Sequence, residues 1–404
     1  MMIFANVLLS LTLLSDLPVP IRLHANFEGG SIGTIEKLGE TSYRCHIKGQ
    51  QNQEARNRQA SWFYFEIDGA RGRELTLTMT DYVGEYNGKP GACPMGPDLV
   101  PVFSLDGVTW NDVPSVVWDD KTKEAAIKLQ ADCDTIWLAH VPPYTHNRLK
   151  TLISEIDQSP DVLVEVIGKS VQGRDLHMIT VTSVNVPDQG KPTIWLQARQ
   201  HAWEAGTSYV MEGALRFIIS NDAQAQSLRD RFIFKFTPMV DPDGSANGEV
   251  RFNANRFDVN RHWDEVNLRD KKFLKWMPEI WYHKKAIYQY LESGHTIDLM
   301  INLHNTETSE FIDTMANDPK SRDLVTLLNE RLVSQTSFRP SRPAGLGVAR
   351  DSSANVMHAE KGLLILLMEQ RISRDPKSGK TPTIEGRRQF GAKLVQVMAQ
   401  TFRP

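Results

Sequence analysis

Hydrophobic and polar positions fall into two textures along the chain. Through residues 21–142, short runs of β-branched and aromatic residues alternate with turn residues. Trp62–Ile67, Glu74–Met79 and Asp134–Ala139 are such runs, and Asp68-Gly69 and Asp106-Gly107 are such turns. Short strands at regular spacing predict a small antiparallel β-sandwich. Pro142-Pro143 closes the region, and Leu149, Leu152, Ile153 and Ile156 then recur at helical spacing.

From about residue 160 the runs become almost wholly apolar: Asp175–Thr182, Thr193–Ala198, Phe232–Phe236, Ile297–Leu303 and Gly362–Met368. Runs of this kind suit strands covered on both faces. Between them lie helical patterns at Ala205–Ile219, Arg269–Leu291, Ser321–Val333 and Glu385–Met398. Alternation of strands and helices predicts an α/β fold with a mixed sheet and helices on both sides. In such sheets ligands gather where strands reach their carboxyl edge. The expected organisation is therefore a β-sandwich domain over 21–142 and a catalytic domain over 143–404.

Composition changes this picture little. The chain has 404 residues, and its 46 basic and 49 acidic residues leave a net charge of −3. That balance gives no support for a nucleic-acid partner or a stable membrane association. The first fourteen residues are apolar, too short for a membrane span and of the length of a signal-peptide core. No Lys or Arg precedes them and no clear A-x-A site follows. If residues 1–20 are a signal peptide, the protein is secreted or periplasmic; otherwise it is cytoplasmic. Cys45, Cys93 and Cys133 are an odd count without ligand-like spacing, which allows at most one disulfide.

The candidate chemistry sits where the expected strands end. His201 and Glu204, two residues apart, lie between the strand at Thr193–Ala198 and the helix at Ala205–Ile219. The run Ile297–Leu303 leads directly into His304. Two nitrogen ligands and one carboxylate leave a fourth position open, the composition of a catalytic zinc site. By itself H-x-x-E is weak, and a histidine ending a buried strand is more often a core residue. Glu369 follows six apolar residues, where a carboxylate is costly without a partner. An ion pair to Arg371 or Arg374 is the plain explanation; a general base beside the metal is the functional one. The loop from Arg251 to Trp263 carries three arginines, a residue suited to gripping carboxylates and stabilising an oxyanion.

With these motifs in place the sequence resembles the zinc carboxypeptidases of the carboxypeptidase A superfamily, in the cytosolic-carboxypeptidase-like branch. The resemblance extends over almost the whole chain after residue 20. It rests on Gly173-Arg174, His201-Ala-Trp-Glu204, Pro238–Gly244, Phe257–Arg261, Leu303-His304-Asn305 and Met368-Glu369, with Trp62–Phe65 and Ala139–Thr145 in the β-rich part. It implies an α/β/α sandwich around a mixed sheet. It also implies one zinc ion held by His201, Glu204 and His304, with Glu369 as general base. By the same resemblance Arg251 polarises the scissile carbonyl, Asn260 and Arg261 grip the substrate's terminal carboxylate, and Asp258 orients His201.

Some positions depart from the family pattern. No Tyr follows Tyr290, so the family's substrate-capping Tyr is missing from the loop before Glu369. That loop offers Arg350, Ser352, Ser353 and His358 instead, and Arg350 is the candidate for an acidic terminal-residue preference. Asp241 stands where Asn is commoner, and Asn305 where Gly is frequent. The expected function is a zinc carboxypeptidase acting on the C-termini of peptides or proteins. The alternatives are a zinc amidase or deacylase acting on cell-wall peptides or N-acyl amino acids, and a non-catalytic peptide-binding homologue.

Overall fold

A computed structural model describes residues 19–130 and 132–402. The export expectation concerns residues 1–20, of which 1–18 lie outside the described residues. The first part of the chain forms two five-stranded sheets. One orders Arg22–His24, Tyr64–Asp68, Thr135–Ala139, Val102–Ser104 and Asn111–Asp112; the other orders Ser115–Asp119, Glu124–Gln130, Glu74–Thr80, Ser42–His46 and Ile35–Lys37. Alternation explains how they pack: Leu75, Leu77 and Met79 are buried on one sheet, and Phe65 and Ile67 on the other, in one shared core. One pairing departs from the antiparallel expectation, since Ser42–His46 runs parallel to Glu74–Thr80.

The second part is built on a seven-stranded mixed sheet. Its order is Val162–Lys169, Asp175–Val181, Ile233–Thr237, Thr193–Ala198, Leu299–Thr306, Ile365–Arg371 and Phe311–Thr314. The four strands from Ile233–Thr237 to Ile365–Arg371 are mutually parallel, and the outer ones join antiparallel. Thr193–Ala198 is buried at every position, as its apolar run predicts. Helices Ala205–Ile218, Pro319–Gln335 and Ile384–Phe402 pack into one apolar core against the sheet. Helix Pro278–Glu292 belongs to a separate core with Trp195 and Met300.

The structure also refines the expected elements. The long pattern at Arg269–Leu291 divides into Phe273–Trp276 and Pro278–Glu292, because Pro278 has no N–H to continue the first helix and instead starts the second. Strands Val162–Lys169 and Phe311–Thr314 and helix Ser353–Lys361 were not evident from periodicity, being edge or short elements. Two strands run further than their apolar stretches: Leu299–Thr306 contains His304 and Ile365–Arg371 contains Glu369. Both residues are therefore inside strands, two positions before the end. Cys45, Cys93 and Cys133 are all free thiols. Among the described residues no helix is long and apolar enough to cross a membrane.

The two parts share packing. Trp203, in the His201 loop, belongs to the same core as the N-terminal sheets and meets His140 edge-on at 6.3 Å. Backbone bonds also cross between them, from Gly29 N to Ala246 O and from Gln53 N to Arg256 O.

Candidate active site

The parallel strands bring the sequence-distant groups together. Ala198 pairs with Leu303, and His304 lies beside Glu369 in the next register. Directly after Ala198, Arg199 adopts φ +59°, a left-handed conformation costly for a side-chain-bearing residue. Its buried guanidinium offsets that cost by donating to Tyr144 O, Ala202 O, Ser208 Oγ and Ser245 Oγ. The sharp turn sends His201 and Glu204 back over the sheet edge. Trp203 N donates to Val250 O, tying the same loop to the Arg251 segment.

His201, Glu204 and His304 are all buried, and their ligating atoms lie within 4.8 Å of one another. His201 Nδ1 is 2.8 Å from Glu204 Oε1, and His304 Nδ1 is 3.1 Å from Glu204 Oε2. The far side of each ring decides its tautomer. His201 Nε2 faces Asp258 Oδ1 at 3.1 Å, and His304 Nε2 faces Gln200 Oε1 at 3.1 Å. Both partners are acceptors, so each ring can carry its proton on Nε2 and present a bare Nδ1 to a cation beside Glu204. Burial also pushes the pKa of His304 down, which favours its neutral form. Two bare ring nitrogens and a carboxylate thus converge, and Glu204 Oε2 is buried without a hydrogen bond. Such a donor set fits a divalent cation, and two nitrogens with one carboxylate fit zinc.

Asp258 links this cluster to the arginine loop. Its Oδ2 accepts from Arg251 Nε at 2.6 Å. Burial opposes its charge, but Arg251 and then His201 hold the carboxyl well below the usual carboxylate range. Asp258 Oδ1 also accepts from Asn260 N. Arg261 donates to Asn260 O and lies 3.6 Å from Asp351. Asn260 Oδ1 accepts from Ser353 Oγ, which in turn accepts from Gln200 and Asn302. Gln200 and Ser353 give no periodic or spacing signal; only the folded network shows their part in holding His304 and Asn260.

Glu369 has no ion pair among the described residues, and its Oε2 is buried without a partner. The plain alternative is answered by Arg371, which turns to Glu310 at 3.9 Å and to Arg339 O. Burial raises the Glu369 carboxyl well above its ordinary pKa; Glu204 adds to the rise and Arg251 opposes it. A cation beside Glu204 opposes the same shift and favours the carboxylate.

A cleft of about 690 Å³ opens over these groups. His201, Glu204, Arg251, Asn260, Arg261, His304 and Glu369 line it, while Asp258 sits behind His201 and Arg251. Arg350 is different: it is exposed and does not line the cleft. Arg342 and Asp313 do, and neither stood out in the sequence. The N-terminal part also lines it, through Arg58 and Cys93 in loops and Tyr86 in the hairpin of Gly84–Tyr86 and Lys89–Ala92. Tyr86 places its ring 5.4 Å from the Arg251 guanidinium.

Comparison with known proteins agrees with this geometry. Residues 149–311 match the zinc carboxypeptidase family, and residues 23–141 match the cytosolic carboxypeptidase N-terminal domain. An uncharacterized protein of Zymomonas mobilis is 32% identical over 61% of this chain and 60% of its own length. Cytosolic carboxypeptidase 3 of Bos taurus is 24% identical over 77% of this chain, which spans 32% of that relative. Among solved structures, a metallo-carboxypeptidase from Burkholderia cenocepacia has the same fold, with a TM-score of 0.83, 21% identity, and coverage of 95% of this chain and 99% of that one. A metallo-carboxypeptidase from Pseudomonas aeruginosa matches at TM-score 0.79 and 21% identity, covering 94% and 98%. The two matched regions, the shared fold and the convergence of His201, Glu204 and His304 make the chain similar to the zinc carboxypeptidases, in the branch that carries the cytosolic carboxypeptidase N-terminal domain.

Proposed function

We propose that this chain is a metallocarboxypeptidase that releases the terminal residue from peptides or proteins ending in a free carboxylate. One observation carries the reading: the cluster of His201, Glu204 and His304 shares a cleft with an unpaired Glu369, one strand away in register. A zinc ion bound there supplies a Lewis acid that polarises a carbonyl and acidifies water. The remaining work falls to side chains. Glu369 accepts a proton from the attacking water and delivers it to the departing amine. Arg251, fixed by Asp258, donates to the oxyanion as the carbonyl carbon becomes tetrahedral. Asn260 and Arg261 hold the terminal carboxylate, which restricts cleavage to the last bond. In this reading residues 143–404 are the catalytic domain, and residues 21–142 wall the cleft.

The cleft favours a peptide over a small N-acyl amino acid, since the loops and hairpin of the N-terminal part add lining residues such as Arg58 and Tyr86. The test is incubation of the zinc-loaded protein with peptides that end in Glu, Lys, Phe and Gln, alongside N-acyl amino acids and C-terminally amidated peptides. Release of single terminal residues, abolished by amidation and by a chelator, is the expected result. Cleavage of the amidated peptides, or of N-acyl amino acids alone, overturns the reading. The same series tests the acidic preference expected of Arg350.

A further inference from the structure

Beyond Glu369 the cleft reaches a second charged pair that the proposed reaction does not use. Strand Phe311–Thr314 runs antiparallel beside Ile365–Arg371, with Phe311 opposite Glu369 and Asp313 opposite Leu367. Side chains alternate along a strand, so Asp313 and Leu367 share the cleft face with Glu369, one step deeper. Asp313 is 3% exposed and lines the cleft. Its Oδ2 accepts from Arg342 Nη2 at 2.6 Å, but its Oδ1 is buried with no partner. An unmet buried acceptor is destabilising. Because Asp313 lines the cleft, this acceptor is positioned against whatever group the cleft takes up.

The loop over this pair is shaped to it. Gly345 and Gly347 both lie outside the left-handed region, so conformational freedom does not explain either glycine. Close approach does. A Cβ on Gly345 would fall 2.6 Å from Arg342 Nη1 and 2.9 Å from Asp313 Oδ1, and one on Gly347 would fall 2.6 Å from Asp313 Oδ2. The Arg342 guanidinium also lies 4.0 Å from the Phe311 ring centroid, which fixes it on the cleft side.

A neutral pair with an open acceptor beside a guanidinium suits a group that both donates and accepts. A terminal Lys meets the like charge of Arg342. A terminal Glu sets its carboxylate against Asp313 Oδ1, and a terminal Leu leaves that oxygen unmet. A carboxamide donates its N–H to Oδ1 while its carbonyl accepts from Arg342. Building on the carboxypeptidase reading, we infer that Asp313 and Arg342 form the side-chain subsite of the cleft and select substrates ending in glutamine or asparagine.

The test is calorimetric binding of four peptides, identical except for a terminal Gln, Glu, Leu or Lys, to the zinc-loaded full chain carrying Glu369→Gln. The Gln peptide is expected to bind roughly ten- to a hundredfold tighter than the Leu peptide, the range set by one hydrogen bond to a charged acceptor. Adding Asp313→Ala should erase that difference. Should Asp313→Ala not fold, Arg342→Gln decides: it alters an exposed side chain, removes the cation that repels a terminal Lys and should move the preference to Lys. Equal affinities, no measurable binding, tightest binding of Glu or Lys by the Arg342-intact protein, or an unchanged order in Arg342→Gln overturns the subsite. Turnover of the same peptides by the protein with Glu369 intact separates the two readings. Selective binding without release removes the carboxypeptidase reading alone; release without selective binding removes only the subsite.

Discussion

Gln50, in the N-terminal β-rich part, holds the backbone of Arg251 in the cleft, with its Oε1 2.7 Å from Arg251 N. The same oxygen accepts from Val250 N and Phe252 N, and Gln50 Nε2 donates to Phe252 O. One buried amide from one domain therefore fixes three residues of the other. Gln50→Ala leaves these N–H groups without their acceptor. Since small displacements of a positioned group cost catalysis heavily, kcat should fall by roughly ten- to a hundredfold. Zinc content should stay unchanged, because Gln50 touches no ligand. Steady-state kinetics with metal analysis checks both; full kcat would show that Arg251 is held well enough without Gln50.

Glu369→Gln keeps the side chain's size and removes its proton-accepting carboxylate. Zinc stoichiometry should remain at one per chain. Turnover should drop by about 10²–10⁴, the usual contribution of a general base. Near-normal kcat would remove Glu369 from that role.

His304→Ala takes away one of three protein ligands and leaves Gln200 Oε1 without its ring partner. Bound zinc, measured by elemental analysis after dialysis, should fall well below one per chain. The parent protein should also melt at higher temperature with zinc than with chelator, because a ligand that binds only the folded state stabilises it. The variant should lose most of that difference. An unchanged stoichiometry would mean that another residue completes the site.

His140 predicts an acid limit to stability. It lies between Phe63 and Trp203, where the two parts of the chain pack, and neither ring nitrogen has a partner. Burial pushes its pKa down from 6.5 to about 4. Between those values the unfolded chain binds the proton and the folded chain does not, so stability falls as pH drops from 6.5 towards 4. The full shift corresponds to about 3 kcal/mol. His140→Phe should flatten the pH dependence of urea unfolding across that window, and an equally steep dependence would exclude His140 as a cause.

The legibility of the site followed its physical origin. His201 and Glu204 were readable because a strand-to-helix turn brings residues of that spacing together, and the turn is marked by an apolar run on one side and a helical pattern on the other. His304 and Glu369 stood out as polar groups closing apolar stretches, although both strands continue past them. Gln200, Ser353 and Gln50 left no such mark. They act through hydrogen bonds to groups far along the chain, and an amide or hydroxyl in a loop looks the same whether solvated or buried. Arg350 shows the reverse: a charge in the expected loop that is exposed and does not line the cleft, where Arg342 does.

The sequence by itself determined the β-rich and α/β parts, the mixed character of the second sheet and the chemical types available for a metal site. Those depend on local periodicity and on apolar runs long enough to be buried, which the chain states directly. Tertiary structure alone decided which histidine nitrogens face Glu204, that Asp313 rather than Arg350 reaches the cleft, and that loops of the N-terminal part help to line it. The reason is physical. Tautomers, unmet acceptors and shared walls depend on what surrounds an atom in space, and strand pairing between residues as distant as Ala198 and Leu303 sets those surroundings.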